Sequence, residues 1–261
     1  MAEPEAHDTG TDSRAERQRW RRQRWGLLHG GALCERQALP DGVWRYRSDF
    51  PLTRALAAVQ QHALAAAVGP AALLKDDVKR RVSRVEIAGE PYVVKEFRRP
   101  GPWWVFAPDY RSWWHNWRLE LAGFPVPRYY AWLRARDGRA YIVLEHLPGR
   151  SLDEALLAAL PHPAEFDRLT GLALDLLARL YRAGMVHEDY KCQNLLVGPT
   201  GGSRPPLGLI DNDAVLFERR IRPTDLARNR RHLTRTLAPD GGLPERMGER
   251  FDRFFAAGPP P

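Results

Sequence analysis

The sequence predicts an α+β chain of two lobes, a small sheet-rich lobe followed by a helical one. Three observations carry that reading. From about Ala71 to His146 the apolar residues fall in short alternating runs, the period of half-buried strands. Beyond Pro148-Gly149 the spacing changes to three and four residues, the period of amphipathic helices. The chain has 261 residues and an apolar fraction of 44%, enough for one two-lobed domain and too apolar for wholesale disorder.

Taken in order, residues 1–13 (MAEPEAHDTGTDS) have no apolar period to bury and read as a mobile tail. Residues 14–70 read as a basic, amphipathic extension that packs on the first lobe, which spans 71–147. Within that lobe Val82, Arg84 and Glu86, the turn at Gly89-Glu90-Pro91, and Tyr92, Val93 and Val94 predict a hairpin. Arg111 to Ala122 predicts a helix ended by Gly123, with Pro125 and Pro127 to stop it. YYAWLRARDGRAYIVLEHL (129–147) then reads as two strands around Asp137-Gly138, a dipeptide that takes positive φ readily. The second lobe spans 148–257. Leu152 to Leu160 is one helix, and Phe166, Leu169, Ala173, Leu176, Leu177 and Leu180 mark a longer one ending near Gly184. The polyproline tail, 258–261, reads as loose. The lobes are expected to meet near 145–149, and clefts between lobes favour ligands.

Cys34 and Cys192 lie far apart without metal-ligand spacing, which fits a reducing compartment rather than a disulfide framework. No apolar run approaches the roughly 18 residues of a membrane span, and the polar N-terminus lacks a secretory pattern. The expected location is cytoplasmic, with a peripheral place on the inner membrane as the extension of that reading. A net charge of +8 and a pI near 9.9 favour an anionic partner. Arginines crowd around Trp20 and Trp25 in RAERQRWRRQRW (14–25), either as a solvated basic helix or as a contact with an anionic membrane surface. No nucleic-acid module accompanies them, so nucleic acid is not an expected partner.

The chemistry concentrates after the long helix, in VHEDYKCQNLLV (186–197). It holds H-x-D-x-x-x-x-N as His187, Asp189 and Asn194, and LIDND (209–213) follows a short apolar strand. In order and spacing these residues resemble the catalytic loop and metal-binding Asp of protein-kinase-like enzymes. HEDYKCQNLLV, GLIDNDAVLF and DLARN (225–229) are similar more specifically to the bacterial lipopolysaccharide-core kinases, the heptose and 3-deoxy-manno-octulosonic acid kinases. The resemblance runs from about Leu73 to Leu237. It implies a protein-kinase-like fold that uses ATP and Mg²⁺. Asp189 would be the catalytic base, Asn194 and Asp211 the metal ligands, and Asp213 a second carboxylate near the metals. Lys191 would steady the transferring phosphate, and His187 would bond the loop rather than touch substrate. Transfer from a polyanion is governed by positioning and charge neutralisation, and Mg²⁺ prefers hard oxygen ligands, so these residue types suit the task.

The same resemblance makes Lys95, at the end of YVVKEF (92–97), the lysine that contacts the α and β phosphates. It gives backbone groups of Glu145 and Leu147 the adenine. No G-x-G-x-x-G precedes Lys95; LLKDDVKRRV (73–82) stands there, and Lys79, Arg80 or Arg81 could cover phosphates or simply enter a strand. The glutamate that pairs such a lysine in relatives falls on Ser112, with Glu120 and Glu96 as alternatives. Trp103, Trp104, Trp113, Trp114 and Trp117 form a cluster too dense for one face of an element, so some are expected to be exposed to a bilayer interface or a sugar. The implied activity is a phosphotransferase with an alcohol acceptor, acting on a sugar hydroxyl of a lipid-linked lipopolysaccharide core oligosaccharide at the cytoplasmic membrane face. A protein or small-molecule kinase, and a non-catalytic pseudokinase scaffold, are the alternatives.

Overall fold

The structure, a computed structural model, describes residues 10–69, 73–98, 107–199, 205–235, 237 and 242–258. Contacts divide the chain into two compact units: residues 1–100 with 130–144, and residues 101–129 with 145–261.

The first unit is built on a seven-stranded sheet in the order β1-β2-β6-β7-β5-β4-β3. Its strands are β1 (Cys34–Leu39), β2 (Gly42–Arg47), β3 (Lys75–Asp76), β4 (Arg80–Ile87), β5 (Glu90–Phe97), β6 (Tyr129–Ala135) and β7 (Ala140–Glu145). The hairpin read from the sequence is β4–β5, in register from Arg80 opposite Phe97 to Ile87 opposite Glu90. Its tight turn puts both Ala88 (φ 53°) and Gly89 (φ 80°) in the left-handed region, as a type I′ turn requires. Helix α1 (Gly10–His29) packs against β1, and α2 (Leu52–Val68) lies on β4 and β5. Alternation along the strands sends Val85, Ile87, Tyr92, Val94, Ala131, Leu133 and Val143 into one core with Ala55 and Ala58 of α2. Lys95 belongs to the other face, because its neighbours Val94 and Glu96 point toward α2.

The second unit is mostly helical: α3 (Pro108–Leu121), α4 (Leu152–Ala158), α5 (Pro163–Arg182), α6 (Pro223–Arg235) and α7 (Leu243–Phe254). The strand β8 (Arg150–Ser151) pairs with β10 (Leu195–Val197), which pairs with β11 (Leu207–Leu209). A second small ladder joins β9 (Val186–His187) to β12 (Val215–Leu216). The residues that marked the long helix are the buried face of α5: Phe166, Leu169, Ala173, Leu176, Leu177 and Leu180. They form one core with Leu152 and Leu156 of α4, Leu233 of α6 and Met247 and Phe251 of α7. A Ser151–Glu154 capping box starts α4, satisfying two otherwise orphaned N–H groups.

Helix α3 corrects one expectation. Trp113, Trp114 and Trp117 are all buried, although 113 and 114 are adjacent. The helix buries Tyr110, Asn116 and Leu119 as well, so it is enclosed on several sides rather than lying on one core. Trp103 and Trp104 lie outside the described residues.

Candidate active site

Local structure of the helical unit brings the motif residues into one small region. After α5, Gly184 takes φ 64° and donates its N–H to Tyr181 O (2.8 Å), which turns the chain into β9. Pairing of His187 with Val215, and of the Glu188 N–H with Ala214 O (2.9 Å), sets the 187–194 loop beside the 211–214 turn. The Ile210 N–H donates to Asn194 O (2.9 Å), so the two motifs are bonded directly.

The Asp189 carboxylate is the focus. Lys191 Nζ lies 2.8 Å from Oδ2, and Asn194 Nδ2 donates to the same oxygen at 3.2 Å. His232 Nδ1 lies 3.2 Å from Oδ1. Burial alone pushes the Asp189 carboxyl up; the Lys191 hydrogen bond and charge, with Asn194 and His232, outweigh it and hold it below its ordinary value. The side chain is about one-third exposed (33%), so an ionised oxygen can meet an incoming hydroxyl. His187 is fully buried. Its Nδ1 accepts the Asp189 N–H at 3.2 Å, and its carbonyl accepts Asn229 Nδ2 at 2.7 Å. Tyr181 OH in turn donates to Asn229 Oδ1 at 2.5 Å, tying the loop to α5 and α6. Desolvation lowers the His187 pKa to about 4, which keeps the ring neutral.

A divalent cation suits the donor set. Asn194 directs both N–H bonds of its amide at Asp189, to the backbone oxygen (2.9 Å) and to the carboxylate. The carbonyl oxygen of the amide is thereby turned away from Asp189, as a hard ligand must be. Asp211 and Asp213 supply carboxylates from a turn bonded to Asn194 O, and Asp211 holds a left-handed backbone (φ 63°, ψ 56°) rare for a side-chain-bearing residue. No group of three or more His, Cys, Asp or Glu with metal geometry occurs among the described residues. One amide and two carboxylates still suit Mg²⁺, which takes few protein ligands and completes its shell with water and phosphate oxygens.

The remaining predicted residues fall elsewhere. Lys95, on β5 opposite Val82, is buried at 8% exposure in the sheet unit. Glu96 is committed on the opposite face: its carboxylate lies 3.2 Å from His62 Nε2, 3.6 Å from Arg81 and 3.5 Å from Arg139. It therefore drops out as the partner of Lys95. Ser112 is buried in α3, its hydroxyl 3.1 Å from Tyr129 OH. The Glu145 N–H donates to Arg128 O at 2.8 Å. Leu147 lines an apolar cavity of about 240 Å³ with Pro125, Val126 and Leu196.

Sequence reasoning passed over four residues. His232 touches Asp189, Asn229 braces the loop, and His115 and Asn116 of α3 hold the 211–214 turn. For His232 a signal existed. It sits three residues past Asn229 and seven past Asp225 of the DLARN motif, so helical periodicity puts all three on one face of α6.

A sheet-rich unit with its lysine-bearing strand, and a helical unit carrying this loop and turn, define the protein-kinase-like fold. Among solved structures the chain is similar to WaaP, determined in complex with acyl carrier protein. The match has a TM-score of 0.55 and 23% identity over 80% of this chain and 87% of that one. The likeness carries the fold. No family model matches the sequence, and no curated protein does.

Proposed function

We propose that the chain is an ATP-dependent kinase that phosphorylates a sugar hydroxyl of a lipid-linked lipopolysaccharide core oligosaccharide at the cytoplasmic face of the inner membrane. The observation behind this reading is Asp189, a third-exposed carboxylate kept ionised by Lys191 and His232 and bonded to Asn194. Its chemistry follows from that state. The acceptor hydroxyl hydrogen-bonds to Asp189, is oriented toward the γ-phosphorus, and loses its proton to the carboxylate as the new P–O bond forms. ADP leaves with the electron pair of the broken bond. Lys191, free to swing between Asp189 and the transferring group, offsets the charge on the equatorial oxygens. Asn194, Asp211 and Asp213 would hold Mg²⁺, which neutralises phosphate charge when bound. Lys95 for the α and β phosphates, and the backbone of Glu145 and Leu147 for adenine, rest on the sequence resemblance.

The acceptor class rests on the lipopolysaccharide-core motifs of the sequence; the likeness to WaaP supports the fold. The membrane-surface reading is supported by α1, where Arg19, Arg21 and Arg22 are exposed and Trp25 is 65% exposed. No helix among the described residues is long and apolar enough to cross a membrane.

The test incubates the full chain with Mg²⁺-ATP and purified core glycolipid, then reads the glycolipid mass. A gain of one phosphate is expected, lost in Asp189→Ala. A scaffold would leave the mass unchanged and would tolerate that substitution. Co-sedimentation with vesicles reads the surface contact, and binding indifferent to anionic lipid and to salt would count against it.

A further inference from the structure

The carboxylate turn at 211–214 is pinned from outside by helix α3, and nothing in the kinase reading so far uses that contact. Asn116 and Asn212 are both wholly buried. Asn212 Nδ2 donates to Asn116 Oδ1 at 2.8 Å, and Asn116 Nδ2 donates to Pro127 O at 2.7 Å, so the Asn116 amide is fixed in one orientation. One residue earlier on α3, His115 Nδ1 lies 3.2 Å from Asn212 O. The acceptor is a carbonyl, so this nitrogen carries the proton. Burial lowers the His115 pKa to about 4, leaving the neutral ring to make this bond, and its face packs edge-on to Phe217 at 5.1 Å.

These bonds flank the two proposed metal carboxylates. Ile210 is held by Asn194, Asn212 by both Asn116 and His115, and Ala214 by Glu188. Between them Asp211 keeps its left-handed backbone. Such a conformation is strained for a residue with a side chain and persists only where its surroundings over-determine it.

We infer that Asn116 and His115 of α3 are positioning residues for the metal turn: an amide clamp on Asn212 that presents Asp211 and Asp213 to Mg²⁺. The inference rests on the kinase reading. A helix that holds the turn through a neutral amide needs no ion pair to transmit its position, and any displacement of α3 carries Asn212 with it.

ADP binding to the full chain, measured calorimetrically with EDTA and again with Mg²⁺, tests this. Asn116→Leu keeps the branched shape of the side chain and removes both the acceptor for Asn212 and the donor to Pro127 O. It is expected to cut the Mg²⁺-dependent gain in ADP affinity by about tenfold, the scale for outer-sphere partners of metal ligands, and to leave metal-free affinity unchanged. Thr170→Val, which removes a buried hydroxyl bond to Phe166 O within α5, is the stability control and should keep the full gain. The clamp is overturned if Asn116→Leu retains the wild-type gain, if its metal-free affinity falls equally, or if Thr170→Val loses the gain as much. Should Asn116→Leu not fold, His115→Phe is read the same way, and an unchanged gain there overturns it. A wild-type chain that gains nothing from Mg²⁺ sinks the kinase reading and the clamp together. A variant that keeps the full Mg²⁺ gain beside a responsive wild type sinks the clamp alone.

Discussion

Acid should destabilise the helical unit through His187 before the carboxylates titrate. The ring is fully buried, and its Nδ1 accepts the Asp189 N–H at 3.2 Å, so the proton sits on Nε2. A second proton would have to enter at Nδ1, where it would break that bond and bring a charge into a desolvated site. The pKa is accordingly lowered from 6.5 to about 4. In the unfolded chain the imidazole titrates near its ordinary value, so below about pH 6.5 the unfolded state binds a proton that the folded state refuses. Stability from this source is therefore complete above neutrality and is lost as pH falls from about 6.5 toward 4. Linkage over those two values gives a loss of about 2 kcal/mol between pH 7 and pH 5. Urea unfolding at pH 7, 6 and 5 reads it directly. His187→Asn places Oδ1 where Nδ1 accepted the Asp189 N–H and has no titrating group, so its stability should fall less over the interval by that amount. Equal slopes for the variant and the wild type would refute the reasoning.

Removing the cation beside the base, Lys191→Met, should let the Asp189 carboxyl rise, since its hydrogen bond and charge oppose burial most strongly. The acidic limb of the pH–rate profile then moves to higher pH, and a stationary limb would mean that another group sets it. Gly149→Ala should cost at least about 2 kcal/mol, because Gly149 sits at φ 143° and a Cβ there overlaps the Val197 carbonyl oxygen on the strand paired with β8; a loss of unfolding free energy in urea below about 0.5 kcal/mol refutes it. Glu96→Leu should destabilise the sheet unit by about 3 kcal/mol, since it leaves buried His62 and the Arg81 and Arg139 guanidinium groups without their common carboxylate. A fully folded, equally stable variant would mean that the cluster is not a net support.

The fold was legible where burial has one side. Strand β4, whose buried and exposed residues alternate, and α5 each present a single face to a core, so period-2 and period-3.6 patterns locate them without further knowledge. Helix α3 failed that logic because it is enclosed, and the rule that neighbouring tryptophans diverge then carries no information about exposure. The basic extension is a similar case. Arginine content predicted a charged helix, but the pairing of β1 with β2, and of β2 with β6, which makes the extension part of the sheet, has no local signature.

The candidate site divides along the same line, by sequence separation rather than by chemistry. Asp189, Lys191 and Asn194 interact across at most five residues, so spacing alone can display them. His232 reaches Asp189 across 43 residues, and Asn116 reaches Asn212 across 96. Contacts that long leave no spacing to read. The resemblance points to a carboxylate on α3 for Lys95 and says nothing of the neutral amide and neutral imidazole with which the helix holds the 211–214 turn. A buried amide pair adds nothing to net charge and nothing to the hydrophobic period. In water it is also among the weaker signals, since each amide would bond solvent equally well. Inside the core, where an unmatched amide costs about 1–3 kcal/mol, Asn116 and Asn212 each fix the other's orientation. What carries α3 to the carboxylate turn is therefore visible only once the two segments are folded against each other.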